Sequence, residues 1–384
     1  MFGISMEKKK VIAAGHICLD ITPMFPDRKV QHPGELLSPG KLLEVGAADV
    51  HTGGSVANTG LAMKKLGADV SLMGKVGKDA FGNMILDILK KHDADTDMLI
   101  EEGEETSYSV VLAIPGIDRI FLHNAGANRH FKAADIPQEK LEEAALFHFG
   151  YPPLMPEMYA DNGAELVSLM KRAKAAGVAT SLDMAAVDEN APAGQADWKE
   201  ILKNVLPFVD FFVPSVEELC FMLDRERFHE WQKRADGRDI TEILDVEKDI
   251  RPLAEQCMEF GAKVLLIKCG VPGMYLRTAD KNSLEKTGSK AKLSADVWSE
   301  KEIFEKSYVP DRVRSGTGAG DSSIAAFLTA MLEGCEPEEA LHLAAATGAC
   351  CVTEYDALGG LKPFDELRAK IAAGWAKCHA SPDA

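Results

Sequence analysis

Short apolar runs alternate with segments of helical period along almost the whole chain, and this alternation constrains the fold more than any other feature. Strands are expected over residues 10–20, 69–74, 145–149, 178–183, 208–213 and 263–268. Helices are expected over 55–66, 79–91, 162–176, 216–223, 246–260, 319–333, 337–353 and 364–374. Successive strands separated by helices pair in parallel, because each helix carries the chain back across a face, so one sheet covered on both faces is expected. Gly67, Gly177 and Gly261 stand at helix-to-strand junctions, where a residue without a Cβ ends a helix easily.

Two segments break the alternation. Residues 21–52 and 97–125 carry Pro, Gly and strand-like stretches such as Tyr108–Ile114 without helical period, and they read as a small sheet off the main domain. The expected division is a core of 9–20, 53–96 and 126–375, the small sheet, a charged insertion at 224–245, and a flexible tail at 376–384. Mixed charges in the insertion, among them Arg225, Glu226, Arg234 and Arg238, read as a solvated helix face.

Charge and cysteine usage narrow the class. The net charge of −17 argues against nucleic acid or an anionic membrane as partner, since both would be repelled. It leaves room for a nucleotide held by local amides and magnesium. The eight cysteines show no Cys-x-x-Cys spacing, so structural zinc is not expected, and a reducing cytoplasm is the expected setting. Lys8-Lys9-Lys10 before Val11-Ile12-Ala13-Ala14 imitates a signal peptide, but His16 and Asp20 interrupt the run. No other segment approaches transmembrane length.

The chemistry concentrates in two glycine segments. Gly316-Thr317-Gly318-Ala319-Gly320-Asp321 precedes Ile324, Phe327, Leu328 and Met331, spaced as one face of a helix. The N–H groups of such a first turn, with the positive end of the helix dipole, form a seat for an anion. Asp321 at that seat suits proton removal from a hydroxyl, and ordinary helix capping explains the same residues equally well. No Gly-Lys-Ser/Thr follows, and the spaced glycines of dinucleotide folds are missing. The second segment is His51-Thr52-Gly53-Gly54-Ser55-Val56-Ala57-Asn58-Thr59-Gly60, leading into a helix that ends at Gly67.

In this order and far apart, the two segments resemble the Gly-Gly-x-x-x-Asn and Gly-Ala-Gly-Asp signatures of the ribokinase-like (PfkB) carbohydrate kinase family. Val11–Asp20 is similar to that family's first strand, Gly74–Gly82 to a strand-to-helix turn, Pro214–Leu219 to an Asn-x-x-Glu element, and Lys268–Gly273 to a nucleotide-side strand and turn. The resemblance spans roughly residues 10 to 365.

It implies a Rossmann-like three-layer αβα core with a mainly parallel sheet and a small β lid, often used for dimerisation. It implies transfer of the ATP γ-phosphoryl group to a hydroxymethyl group of a sugar. Asp321 would be the base and Gly318, Ala319 and Gly320 the anion hole. Asp20, Gly53, Gly54, Asn58, His123 and Asn124 would hold the acceptor, and Ser215, Lys268, Gly270, Gly273 and Thr317 the nucleotide. Asp20 as a strand-end turn residue and Asn58 as a helix cap are the plainer readings, outweighed by the resemblance. Two departures stand out. Ser215 replaces the family's Asn, leaving Glu218 for magnesium, through water, and Ser315-Gly316-Thr317 replaces Asp-Thr-Thr, so no potassium activation is expected.

An unphosphorylated acceptor is favoured, because Ser55 stands where phosphosugar members carry Lys and no motif gathers Lys75, Arg119 and Arg129. A nucleoside kinase is the alternative, weakened by a lid poor in Tyr and Trp. A non-catalytic sugar or nucleotide sensor is another, motivated by the two departures.

Overall fold

A computed structural model describes residues 9–117 and 119–378. Nine strands form one sheet in the spatial order Glu302–Lys306, Gly273–Thr278, Val264–Lys268, Phe211–Phe212, Ala179–Asp183, Leu146–Gly150, Lys10–Gly15, Asp69–Met73 and Asp95–Thr96. All neighbours are parallel except at Gly273–Thr278, which runs antiparallel to both of its partners. Alternation along a strand feeds two cores. Val11 and Ala13 face the helices Ser55–Lys65, Ala319–Glu333 and Pro337–Cys351, whereas Ile12 and Ala14 face Ala164–Ala175, Trp198–Val205 and Val216–Leu223. The three layers expected from the alternation are therefore present.

Parallel strands end on one rim, and here that rim collects the chemistry. Gly15, Gly150 and Asp183 pair in register, so His16, Tyr151 and Asp183 emerge side by side. The expected strand 10–20 is two strands. The first ends at Gly15, whose φ of +123° and close approach to the Gly150 carbonyl, 2.4 Å from where a Cβ would sit, admit only glycine. The chain resumes as Cys18–Pro23 in a second sheet of order Ala48–Gly53, Cys18–Pro23, Tyr108–Leu112, Ile120–Asn124. Residues 18–20, expected in the core, thus belong to the small sheet.

Other boundaries moved for local reasons. The expected helix 246–260 is a π-turn over Val246–Ile250 followed by an α-helix over Arg251–Glu259, and Pro252, which lacks an N–H, is tolerated only in that new first turn. The insertion holds a helix, Arg225–Ala235, whose Glu226, Glu230, Lys233 and Arg234 form the expected solvated charged face while its other face packs on the core. Its Trp231 is fully buried and donates to Asp249 at 3.2 Å, and Arg234 pairs with Asp249 at 2.7 Å. Residues 376–378, expected in a tail, are bonded to the strand-like segment 307–309: Val309 N donates to the Ala376 carbonyl and Cys378 N to that of Ser307. Residues 379–384 lie outside the described residues. Among the described residues no helix is long and apolar enough to cross a membrane.

Burial also sets an acid sensitivity. His148 lies inside the strand Leu146–Gly150 with Nδ1 on Ser181 Oγ at 2.9 Å and Nε2 without a partner among the described residues, and burial drives its pKa down to about 3. The folded imidazole stays neutral while the unfolded one takes a proton below its ordinary value. Stability from this group is complete above about pH 6.5 and is lost toward pH 3, at about 1.4 kcal/mol per pH unit. Urea titrations at pH 7, 6 and 5 should show that slope, and His148→Gln should flatten it.

Candidate active site

The helix Ala319–Glu333 begins where Gly318 turns left-handed, at φ +72°, with the Ala357 methyl 2.3 Å from where a Cβ would stand. Asp321 sits in the first turn, 7% exposed. Its carboxylate takes hydrogen bonds from Asn58 Nδ2 at 3.1 Å and Thr59 Oγ1 at 3.3 Å, both from the helix Ser55–Lys65 that packs alongside. The Tyr151 hydroxyl donates to Oδ1 at 2.7 Å and Oδ2 at 2.9 Å. The two glycine segments read from the sequence therefore meet at one carboxylate.

A cavity of about 660 Å³ opens beside it. Ser215, Glu218, Lys268, Gly270, Gly273 and Gly320 line one part, and Met274, Tyr308, Val313, Ala349 and Val352 give it an apolar part. Asp239 and Thr241 reach it from the insertion. Lys268 Nζ lies 2.8 Å from Asp183 Oδ1, while Asp183 Oδ2 is buried with no partner among the described residues. Burial, opposed by Lys268 and reinforced by Glu218 and Asp321, raises the Asp183 carboxyl above the ordinary carboxylate range. Burial opposes the charge on Lys268, but Asp183, Glu218 and Asp321 outweigh it and raise the ammonium.

Ser215 caps its helix: Glu218 N donates to Ser215 Oγ at 3.3 Å, and Ser215 N donates to Glu218 Oε2 at 2.8 Å. Among the described residues no three His, Cys, Asp or Glu side chains could hold a metal ion by themselves. The orphaned Asp183 oxygen and Glu218 nevertheless suit magnesium, which takes one or two carboxylates and fills its octahedron with phosphate and water oxygens.

Thr317 lies elsewhere. Expected on the nucleotide side, it lines a separate cavity of about 250 Å³ with His51 and Asn58, although its neighbour Gly316 lines the larger one. There its hydroxyl accepts from Arg119, just ahead of the strand Ile120–Asn124, and from Ser315 Oγ at 2.9 Å.

On the acceptor side Gly53 and Gly54 are glycine for steric reasons. A Cβ on Gly53 would stand 2.2 Å from Asp20 Oδ2, and one on Gly54, at φ +86°, 2.7 Å from His16 Nδ1. Asp20 accepts from the Cys18 thiol at 3.3 Å, and burial raises its carboxyl against the pull of His51. His123 contacts Ser109 Oγ at 3.0 Å and His16 Nε2 at 3.3 Å. Burial lowers both imidazoles, so the pair is uncharged near neutrality. Asn124 does not join them: its amide accepts from Gly126 N at 3.2 Å and Arg129 at 3.0 Å, and donates to Glu105 at 3.4 Å, tying down the loop instead. Lys75 is likewise engaged, with Glu101 at 3.3 Å and Asp135 at 3.0 Å.

Sequence reasoning missed Asp183 and Tyr151. Asp183 ends a parallel strand, and the rule that ligands gather at such ends would have flagged it. Tyr151 follows Gly150 in a stretch with no motif and carried no signal.

A family model described as pfkB family carbohydrate kinase matches residues 10–362. The chain is 23% identical over 304 residues to a protein of Archaeoglobus fulgidus named uncharacterized sugar kinase, a match covering 78% of this chain and 98% of that protein. It is 28% identical over 252 residues to fructokinase-2 of Oryza sativa subsp. japonica, covering 62% and 69% respectively. The solved ribokinase of Arabidopsis thaliana, complexed with ribose and ATP, shares the fold, with a TM-score of 0.67 and 21% identity over 95% of this chain and 98% of that one.

Proposed function

The chain belongs to the pfkB family of carbohydrate kinases and is a phosphotransferase with an alcohol acceptor, and from this premise we propose that it moves the ATP γ-phosphoryl group to a hydroxymethyl group of a free sugar or polyol. One observation carries the reading: Asp321 is gripped by Asn58 and Thr59 from the acceptor side and opens on its other side to the cavity that holds Lys268 and Gly320. Asp321 removes the proton of the acceptor hydroxyl, and the first-turn amides around Gly318, Ala319 and Gly320 stabilise charge on the transferring group. Lys268 draws the phosphate chain toward Asp183, with Gly270 and Gly273 leaving room for the nucleotide. Magnesium, held by Asp183 and by Glu218 through water, supplies neutralising charge to the phosphates when bound.

Asp20 and His123 hold acceptor hydroxyls, and Asn58 positions both the acceptor and the base. A neutral acceptor is supported by the engagement of Lys75 and Arg129 with other protein groups. A homodimer joined through the small sheet is supported by Phe121 and Leu122, 55% and 53% exposed, and sedimentation would test it. Eight free thiols support a reducing cytoplasm.

The deciding assay gives protein, ATP and magnesium a panel of free hexoses, pentoses, polyols, nucleosides and sugar phosphates, and follows ADP. Release with a free sugar, lost in Asp321→Asn, supports the reading. Preference for nucleosides moves the acceptor class, and silence with retained ATP binding favours a sensor. Gly53→Ala should raise the acceptor KM by about tenfold or more while leaving that for ATP near its starting value, because the new methyl displaces the Asp20 carboxylate.

A further inference from the structure

Tyr151 has no part in the chemistry above, yet it is the group closest to the proposed base. It follows the strand Leu146–Gly150, its side chain is half-buried in the cavity wall, and its backbone is left-handed at φ 69° and ψ 43°. That region costs a residue with a Cβ about 1–2 kcal/mol, a strain kept only where the surroundings enforce it. What it achieves is placement: the hydroxyl bridges both oxygens of Asp321. Burial, with Asp321 and Asp183 close by, pushes the phenol well above its ordinary value, so it remains a donor.

Direction matters as much as distance. Asn58 and Thr59 reach Asp321 from the acceptor-side helix, whereas Tyr151 lines the nucleotide cavity. An acceptor hydroxyl that attacks the γ-phosphorus must hydrogen-bond to Asp321 with its oxygen facing that same cavity. Asn58, Thr59 and the Tyr151 hydroxyl, which bridges both oxygens, make four contacts between them and so use the roughly four lone-pair sites of the carboxylate, and an acceptor hydroxyl can bond there only by displacing one of them. Tyr151 and the acceptor compete for one place.

We propose that the Tyr151 hydroxyl is a resident stand-in for the acceptor hydroxyl, covering Asp321 until a sugar displaces it and thereby denying the base to water. This rests on the function proposed above. The reaction it suppresses is hydrolysis: Asp321 takes a proton from water, the water oxygen bonds to the γ-phosphorus, and the bond to the β-phosphate oxygen breaks, giving ADP and phosphate. The ring itself is held against His16, 6.0 Å between centroids, so removing one oxygen leaves its packing in place.

Tyr151→Phe is the direct test, read as ADP release from ATP and magnesium with no sugar present. Release should rise roughly 10- to 100-fold over the parent, a share of the 10²–10⁴ that a positioned base supplies. It should fall back in Tyr151→Phe combined with Asp321→Asn, and the acceptor KM of the single variant should drop. Unchanged sugar-free release together with slower sugar phosphorylation would overturn the proposal and make Tyr151 a positioning residue.

A second measurement uses the parent protein and needs no variant. A deoxy analogue of the best sugar, lacking the phosphorylated hydroxyl, should leave ATP hydrolysis at its resting level, because nothing replaces Tyr151. Stimulated hydrolysis with that analogue would overturn the proposal. Should no sugar be phosphorylated at all, the function above fails, while the sugar-free comparison still decides the role of Tyr151.

Discussion

Asp321→Asn will lower kcat for sugar phosphorylation by about 10²–10⁴-fold and leave the KM values for sugar and ATP near those of the parent. The substitution keeps size and leaves a carbonyl oxygen for one set of the donors from Thr59, Asn58 and Tyr151. What disappears is the ability to take a proton as the oxygen–phosphorus bond forms. Loss of kcat and kcat/KM in parallel is the signature of an interaction made only in the transition state. Steady-state rates at saturating sugar, with calorimetric titration of ATP and sugar, separate this from a binding defect. A kcat within about tenfold of the parent would remove Asp321 from the role of base.

Lys268→Met carries the second large effect, on stability as well as turnover. The pair is deep, with Lys268 Nζ 2.8 Å from Asp183 Oδ1 and the Asp183 side chain 1% exposed. Removing one partner of a buried pair costs about 3–5 kcal/mol, since the remaining charge has neither water nor counter-ion. The Asp183 carboxyl, already raised, then moves further up and takes a proton. Asp183→Asn combined with Lys268→Met should recover most of the stability in urea unfolding, because no charge is left stranded. It should not recover turnover, because the cation for the phosphates is still missing. Recovery of both would show the pair to be structural only.

The part of the fold legible in the sequence was the part written in periodicity. Val11 to Ala14 or Leu146 to Gly150 read as buried strands from their apolar runs, and the helices between them from their spacing. Gly273–Thr278 and Glu302–Lys306 were not legible, since the first follows a glycine turn too closely and the second carries three charges in five residues. The break at Gly15 was hidden because both halves of residues 10–23 are extended, and only the approach of the Gly150 carbonyl distinguishes them. At the site, residues bound to motifs, such as Asn58 and Asp321, could be paired from sequence. Tyr151 and Asp183 reach the same place by register across the sheet, a relation no local pattern records.

The small sheet leaves and rejoins the core at four places: through His16 and Ile17, through Gly54, through residues 102–107, and after Asn124. A body fastened by four short tethers cannot drift or slide. Any tilt of it against the core would have to be absorbed at the tethers themselves. Two of those tethers, at His16 and Gly54, border the proposed acceptor seat, with Asp20 on the moving side and Asn58 on the fixed side. On the proposed function, tilting the sheet away would therefore dismantle the seat rather than uncover it, and closure and acceptor affinity would be a single equilibrium.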